Sequence, residues 1–175
     1  MKARVVYESV LGNTKAVAEA IASGLSELFE TETVEVGAAA SDAAGLDLLV
    51  VGGPTYAWSM SRPSTRKAAR DQAAKQGVQP PSQGIGVREW IDGLPGGQGI
   101  KAAAFDTGSG SFGILSGGSA AKGEAKQLQR RGYRLIAGPE QFLITADRES
   151  TVLKSGELER AADWGRSLAR TASRV

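Results

Sequence analysis

Apolar positions along the chain change period from one segment to the next, and those changes predict the elements. Residues 3–7 (Ala-Arg-Val-Val-Tyr) form a short apolar run that reads as a strand, followed by the polar turn Glu8-Ser9-Val10-Leu11-Gly12-Asn13-Thr14. From Asn13 to about Phe29 the spacing becomes helical. Val17, Ala20, Ile21, Gly24, Leu25 and Leu28 fall at i, i+3, i+4, i+7, i+8 and i+11. Thr33–Val36 alternates and predicts a second strand near a sheet edge. Residues 46–53 (Leu-Asp-Leu-Leu-Val-Val-Gly-Gly) are almost continuously apolar, the pattern of a central parallel strand covered on both faces.

A polar and aromatic loop from Pro54 to Arg62 comes next, and Pro63 suits the first turn of a helix, where its missing N–H costs nothing. Residues 77–86, with Pro80-Pro81, read as a surface excursion, and Val87–Leu94 as the last part of a helix stopped by Pro95-Gly96-Gly97. Ile100–Phe105 predicts a fourth strand, and Asp106–Gly118 a long loop rich in glycine and serine. An amphipathic helix over 119–131 presents Ala121, Ala125 and Leu128. A fifth strand covers Arg134–Ala137 and Glu140–Ile144, interrupted at Gly138-Pro139. A last helix from about Ser155 to Arg170 places Leu158, Ala161, Gly165 and Leu168 on one face. Strand and helix alternate throughout, which predicts an α/β fold with a doubly wound parallel sheet of five strands and helices on both faces. The unusual loops follow strands one, three and four. They therefore gather at the carboxyl edge, where open α/β sheets place their ligands.

Composition narrows the chemistry. The 175 residues are 41% hydrophobic and 23% charged, with neither cysteine nor histidine. One globular domain over residues 1–175 is expected, burying about 70% of the unfolded surface. Without histidine or cysteine, Ser-His-Asp chemistry, thiolate nucleophiles and His- or Cys-ligated metals are excluded. A bound cofactor is then the source of any hard chemical step. The charge balance of 21 bases against 19 acids is nearly even. The densest basic cluster, Arg130, Arg131 and Arg134, reads as a solvated helix end, so no nucleic-acid partner is expected. No apolar run reaches the roughly 18 residues that span a bilayer. The stretch Met1–Tyr7 is too short and too soon interrupted for a signal peptide, so a cytoplasmic location away from the membrane is expected.

The first loop, Ser9-Val10-Leu11-Gly12-Asn13-Thr14, enters a helix. It suits either a plain helix cap or an anion site, because unpaired N–H groups and the helix dipole meet there. It has neither the Walker A spacing nor G-x-G-x-x-G. This strand–S-x-x-G-N-T–helix arrangement resembles the phosphate loop of the flavodoxin-like family, [ST]-x-[TYF]-G-x-[TS]. Ser9, Gly12 and Thr14 match; Leu11 departs at a position that would supply mainly its backbone N–H. The strand spacing and the C-terminal Gly-Glu-Leu-Glu-Arg-Ala segment (156–161) extend the resemblance over nearly the whole chain.

The resemblance implies the strand order 2-1-3-4-5 and a noncovalent FMN. Its phosphate would lie on Ser9, Leu11, Gly12, Asn13 and Thr14, and its ring would lie between two further loops. One is Pro54-Thr55-Tyr56-Ala57-Trp58, whose Gly-Pro-Thr start (53–55) is similar to flavodoxin-like quinone reductases. The other is Asp106-Thr107-Gly108-Ser109, whose Thr-Gly-Ser is similar to the same enzymes, with Phe112 as a cover for the second face. The same residues also fit blander roles: a glycine-rich flexible loop, or a core anchor at Trp58. Trp90 and Trp164 read as packing residues. Three functions follow. One is an FMN-binding redox protein serving a partner protein. The second is an NAD(P)H-dependent quinone reductase. The third is an FMN-free interaction module. The near-neutral charge departs from the acidic surface of shuttle flavodoxins, and the oligomeric state is open.

If Trp58 stacks on the flavin, Trp58→Ala weakens FMN binding about three- to tenfold, the worth of an aromatic stack beyond its area, and brightens the fluorescence of flavin that remains bound. A loss of about 3–5 kcal/mol in apo stability, with bound-flavin fluorescence unchanged, makes Trp58 a core residue instead.

Overall fold

The computed structural model describes residues 1–57, 59–110, 118–146 and 151–174. Its elements are β1 (Lys2–Tyr7), α1 (Asn13–Leu25), β2 (Glu30–Glu35), β3 (Leu48–Pro54), α2 (Pro63–Lys75), α3 (Val87–Gly93), β4 (Lys101–Gly108), α4 (Ala120–Arg130), β5 (Arg134–Leu135), β6 (Glu140–Ala146), β7 (Thr151–Leu153) and α5 (Glu157–Ser173). The sheet runs β2-β1-β3-β4-β6-β7, and β5 also pairs with β4. All pairings are parallel except the antiparallel β6–β7. The expected 2-1-3-4 order is present, and the fifth position is filled by two strands. β5 meets Lys101 and Ala102 of β4, and β6 meets Phe105–Gly108. The break falls at the expected Gly138-Pro139, since proline has no N–H for the ladder.

Alternate residues of β3 explain its continuous apolar run. Leu48 and Val50 enter the core under α1 and α5, with Ile21, Leu25, Phe105, Phe142 and Leu168. Leu49 and Val51 enter the opposite core with Val6, Trp90, Ile91 and Leu128. A strand covered on both faces needs apolar residues at both parities. Trp164 packs edge-on against Phe105 and Phe142, which already pack edge-on against each other. Helices α1 and α5 approach closely through two glycines. A Cβ on Gly24 would run into the Ala162 carbonyl oxygen, and one on Gly165 into that of Ile21.

Several boundaries differ from the sequence expectation. Helix α1 stops at Leu25, and Leu28 lies exposed in the following turn while Phe29 is buried. Val87–Gly93 is a separate short helix entered from Gly86, not the tail of a longer one. Asp106, Thr107 and Gly108 belong to β4, so the third loop starts later than expected. Leu158 is exposed, leaving Ala161, Gly165 and Leu168 as the buried face of α5. β7 is too short to carry a readable period and was not expected.

Among the described buried carboxyls, Glu124 is the one left with both oxygens lacking a hydrogen-bond partner. It lies on the buried face of α4. Its Oε1 stands 3.1 Å from where a Cβ of Gly53 would be, so a side chain there would crowd it. Burial, then the like charges of Asp106 and Glu8, push its carboxyl well above the ordinary 4.5. The folded chain therefore holds a proton that the unfolded chain releases, and stability falls as pH rises above 4.5 toward the folded value. Glu124→Gln is expected to be more stable than the parent by about 1 kcal/mol or more at pH 8, with the gap closing toward pH 4.5. Urea denaturation across that range reads it; a gap independent of pH contradicts a protonated Glu124.

Candidate functional site

The chain leaves β1 at Tyr7 and turns through Glu8–Gly12 into α1. Ser9 is buried and pinned by the 77–86 excursion: its N–H donates to Ser82 Oγ at 2.9 Å, and the Ser82 N–H donates to its carbonyl at 2.8 Å. Gly12 sits at φ 92°, the left-handed region that favours glycine. Its N–H donates to Ser9 Oγ at 3.1 Å, and its carbonyl accepts from Ala16 N–H at 3.0 Å to close the first helical turn. No side chain caps α1, and the N–H groups of Asn13, Thr14 and Lys15 have no acceptor among the described residues. The Asn13 amide is engaged elsewhere, its Nδ2 donating to the Thr151 carbonyl at 2.8 Å.

The second loop is tied to its neighbours at its start. Gly52 is demanded by packing, because a Cβ would collide with the Phe105 ring. Thr55 N–H donates to the Thr107 carbonyl at 3.0 Å, and Thr55 Oγ1 accepts from Ala120 N–H at 2.9 Å. Tyr56 and Ser59 exchange two backbone hydrogen bonds of 3.0 Å around a tight turn, with Ala57 exposed at φ 46°. Tyr56 packs beside Val10, Ala69 and Ala73. Burial, aided by the Glu8 charge, raises its phenol far above the ordinary range and keeps it protonated. Trp58 lies outside the described residues, as does Phe112.

At the end of β4, alternate side chains go to opposite faces. Asp106 is fully buried; its Oδ2 accepts from Ala121 N–H at 2.9 Å and its Oδ1 from Gln141 Nε2 at 2.8 Å. Burial raises its carboxyl against the lowering effect of these bonds. Thr107 faces the other way and shares a 2.8 Å hydroxyl–hydroxyl bond with buried Thr14. One hydroxyl of that pair donates to the other, which leaves one proton to donate elsewhere. A Cβ on Gly108 would sit 2.7 Å from Gln141 Nε2, so this glycine makes room for the side chain that holds Asp106.

The first turns of α1 and α4 thus end up opposite in character. At α4 the N–H groups of Ala120, Ala121 and Lys122 are taken by Thr55, Asp106 and Ser119. At α1 they are open. The open end borders a cleft of about 50 Å³ lined by Ser9, Leu11, Asn13, Thr14, Pro54, Thr55, Tyr56 and Thr107 of the expected residues. Val10, Ile144 and Thr151 complete the described lining, which includes no carboxylate. A larger cavity of about 670 Å³ lies between the carboxyl end of β4 and the first half of β6, where Ser109 and Gly110 join Glu140, Gln141, Lys154 and Arg160. Asp106 and Gly108 serve packing and capping behind these spaces. The sequence reading placed Ile144 in a strand but not at the site, missed Thr151, since β7 gave no pattern, and missed Glu8. That carboxylate is buried, its Oε2 accepting from Ser61 Oγ at 2.7 Å and Val87 N–H at 3.0 Å. Arg66 donates to the same Ser61 Oγ at 2.9 Å and pairs with Glu89 at 3.0 Å, so the floor of the 54–62 segment is a buried polar network.

The donor set at α1 suits a small anion: backbone N–H groups, hydroxyls and no opposing carboxylate. Comparison with known proteins bears on the fold and on the first third of the sequence. Residues 4–67 match the model of the flavodoxin domain. No curated protein matches the sequence. Among solved structures the chain is similar to a flavodoxin from the domain Archaea, with 20% identity over 99% of this chain and 100% of that one and a TM-score of 0.66. It is similar to oxidised Flavodoxin 2 from Bacillus cereus, with 16% identity over 97% and 99% of the two chains and a TM-score of 0.65. It is also similar to the WrbA-like flavodoxin from Agrobacterium tumefaciens, with 19% identity over 98% and 96% and a TM-score of 0.60. These structures share the fold, and the matched segment runs from β1 through the Ser9–Thr14 loop, α1, β2 and β3 into α2. The described residues have the fold of flavodoxins, and residues 4–67 match the flavodoxin domain in sequence.

Proposed function

We propose that the protein binds FMN noncovalently and acts as a flavodoxin-type electron carrier. The observation that supports this most is the uncapped amino end of α1, which opens on a cleft whose described lining holds no carboxylate, at the carboxyl edge of β1 and β3. That is where the chain order of the sheet reverses, with β1 between β2 and β3, and where doubly wound sheets take ligands. The N–H groups of Asn13, Thr14 and Lys15, with the Ser9 and Thr14 hydroxyls, would hold the phosphate. Left-handed Gly12 would let the backbone approach it without a Cβ in the way. Pro54–Trp58, with Thr107, Gly108, Ser109 and Phe112, would border the ring; of these, Pro54, Thr55, Tyr56 and Thr107 line the cleft at α1 and Ser109 the larger cavity beside it. When bound, the flavin supplies the electron transfer itself, and the surrounding dipoles and aromatic rings tune its potential. The buried network of Glu8, Ser61, Arg66 and Glu89 would keep the 54–60 loop in one position.

FMN is expected to bind at least about a hundredfold more tightly than riboflavin, since each charge-assisted bond contributes roughly 1.5–3 kcal/mol. Thr14→Val is expected to weaken FMN about tenfold or more and to lower apo stability by about 1 kcal/mol, because Thr107 loses its partner. Calorimetric titration of both ligands checks this. Equal affinities for FMN and riboflavin remove the anion site.

A further inference from the structure

The formal charge of +2 hides a strong segregation. Between residues 8 and 61 the acids are Glu8, Glu19, Glu27, Glu30, Glu32, Glu35, Asp42 and Asp47, while Lys15 is the sole base. Apart from buried Glu8, these belong to α1, the turn after it, β2 and the segment leading to β3, toward the β2 edge of the sheet. Helix α4 is the reverse. Its exposed ionisable side chains are Lys122, Lys126 and Arg130, followed by the half-buried Arg131, and its one carboxylate, Glu124, is turned inward.

Between α3 and α4 runs a groove of about 480 Å³ lined by Ser59, Met60, Arg88, Lys126, Arg130 and Arg131, with the carboxylate of Asp92 among them. Asp92 is already engaged: Arg131 lies 4.0 Å away and Gln127 donates to it. Lys126 and Arg130 make no ion pair among the described residues. Arg88 ties the groove to the candidate site, donating from Nε to the Ser61 carbonyl at 3.2 Å and from Nη2 to the Met60 carbonyl at 3.1 Å and Ser59 Oγ at 3.3 Å. A molecule seated in the groove would therefore touch the tail of the loop that begins at Pro54.

We propose that the α3–α4 groove docks an acidic redox protein. The proposal rests on the flavin reading for its purpose and on charge for its partner. Unpaired cations beside a redox site steer an anionic partner to it and orient it on arrival. A nucleic acid fits less well. Helix α4 is only about 16 Å long, and duplex binders neutralise about 6–10 phosphates. The groove offers two unpaired cations and holds a carboxylate. A transient encounter with a small acidic protein needs no more than that.

The test uses a small acidic two-iron, two-sulfur ferredoxin as probe, with basic cytochrome c and a short DNA duplex as comparisons, titrated into the flavin-free protein at low salt. The ferredoxin is expected to bind, to lose affinity about tenfold or more near 0.15 M salt, and to lose about tenfold again in K126E/R130E. E30K, on the opposite edge, is expected to leave its binding unchanged. Preference for cytochrome c overturns the proposal, as does ferredoxin binding indifferent to K126E/R130E. DNA binding as tight as ferredoxin binding, and lost in the same variant, makes the groove a nucleic-acid site and also overturns it. Because docking is read without flavin, a chain that takes no FMN yet binds ferredoxin through Lys126 and Arg130 defeats the function proposed above and leaves the groove assigned.

Discussion

The register of three parallel strands is the constraint on which the site depends. Tyr7 pairs with Gly52, Gly52 with Phe105, Gly53 with Asp106 and Pro54 with Thr107. The chain therefore leaves β1, β3 and β4 at one level of one edge. Ser9, Thr55 and Thr107 become neighbours although about fifty residues separate each from the next. Two glycines keep that register possible. Gly52 yields its side-chain space to Phe105, and Gly53 yields its own to Glu124. A shift of one residue would exchange the two cores of β3 and turn Thr107 away from Thr14.

From that alignment follows the difference between the two helix ends. Thr55 and Asp106, from neighbouring strands, reach the same helix and satisfy the first N–H groups of α4. Among the described residues nothing comparable reaches α1, because Ser9 accepts from Gly12 and Asn13 points to Thr151. An uncapped helix start carries roughly half a positive charge. Each good N-cap stabilises a helix by about 1 kcal/mol, so leaving α1 open forgoes that stabilisation in the apo chain. A ligand phosphate would restore it, and folding and binding would then support each other.

Much of this was legible in the sequence. The apolar run 46–53 identified the central strand, and the helical spacing from Val17 identified the face of α1. The loops after strands one, three and four converge because parallel strands share an edge. Other features were hidden for physical reasons. Leu28 and Leu158 fit the helical period yet are exposed, since period alone cannot tell where a neighbouring element ends. β7 has three residues, fewer than a period-two pattern needs. That Asp106 is held from α4 by Ala121 and from β6 by Gln141, and that Thr55 also caps α4, could not be read from sequence, since these partners lie far along the chain. Glu124 did carry a signal: it stands three residues after Ala121 and four before Leu128, on the apolar face itself. A charged residue there is either paired or neutral.

The central claim, that α1 offers its amino end to a ligand phosphate while α4 does not, is tested most directly by backbone amide NMR of the labelled protein during FMN titration. The amide protons of Asn13, Thr14 and Lys15 should move strongly downfield on binding, because they gain an anionic acceptor. Those of Ala120, Ala121 and Lys122, already held by Thr55, Asp106 and Ser119, should show no such downfield change. FMN that binds without moving Asn13–Lys15, or that moves the α4 amides instead, would contradict the account.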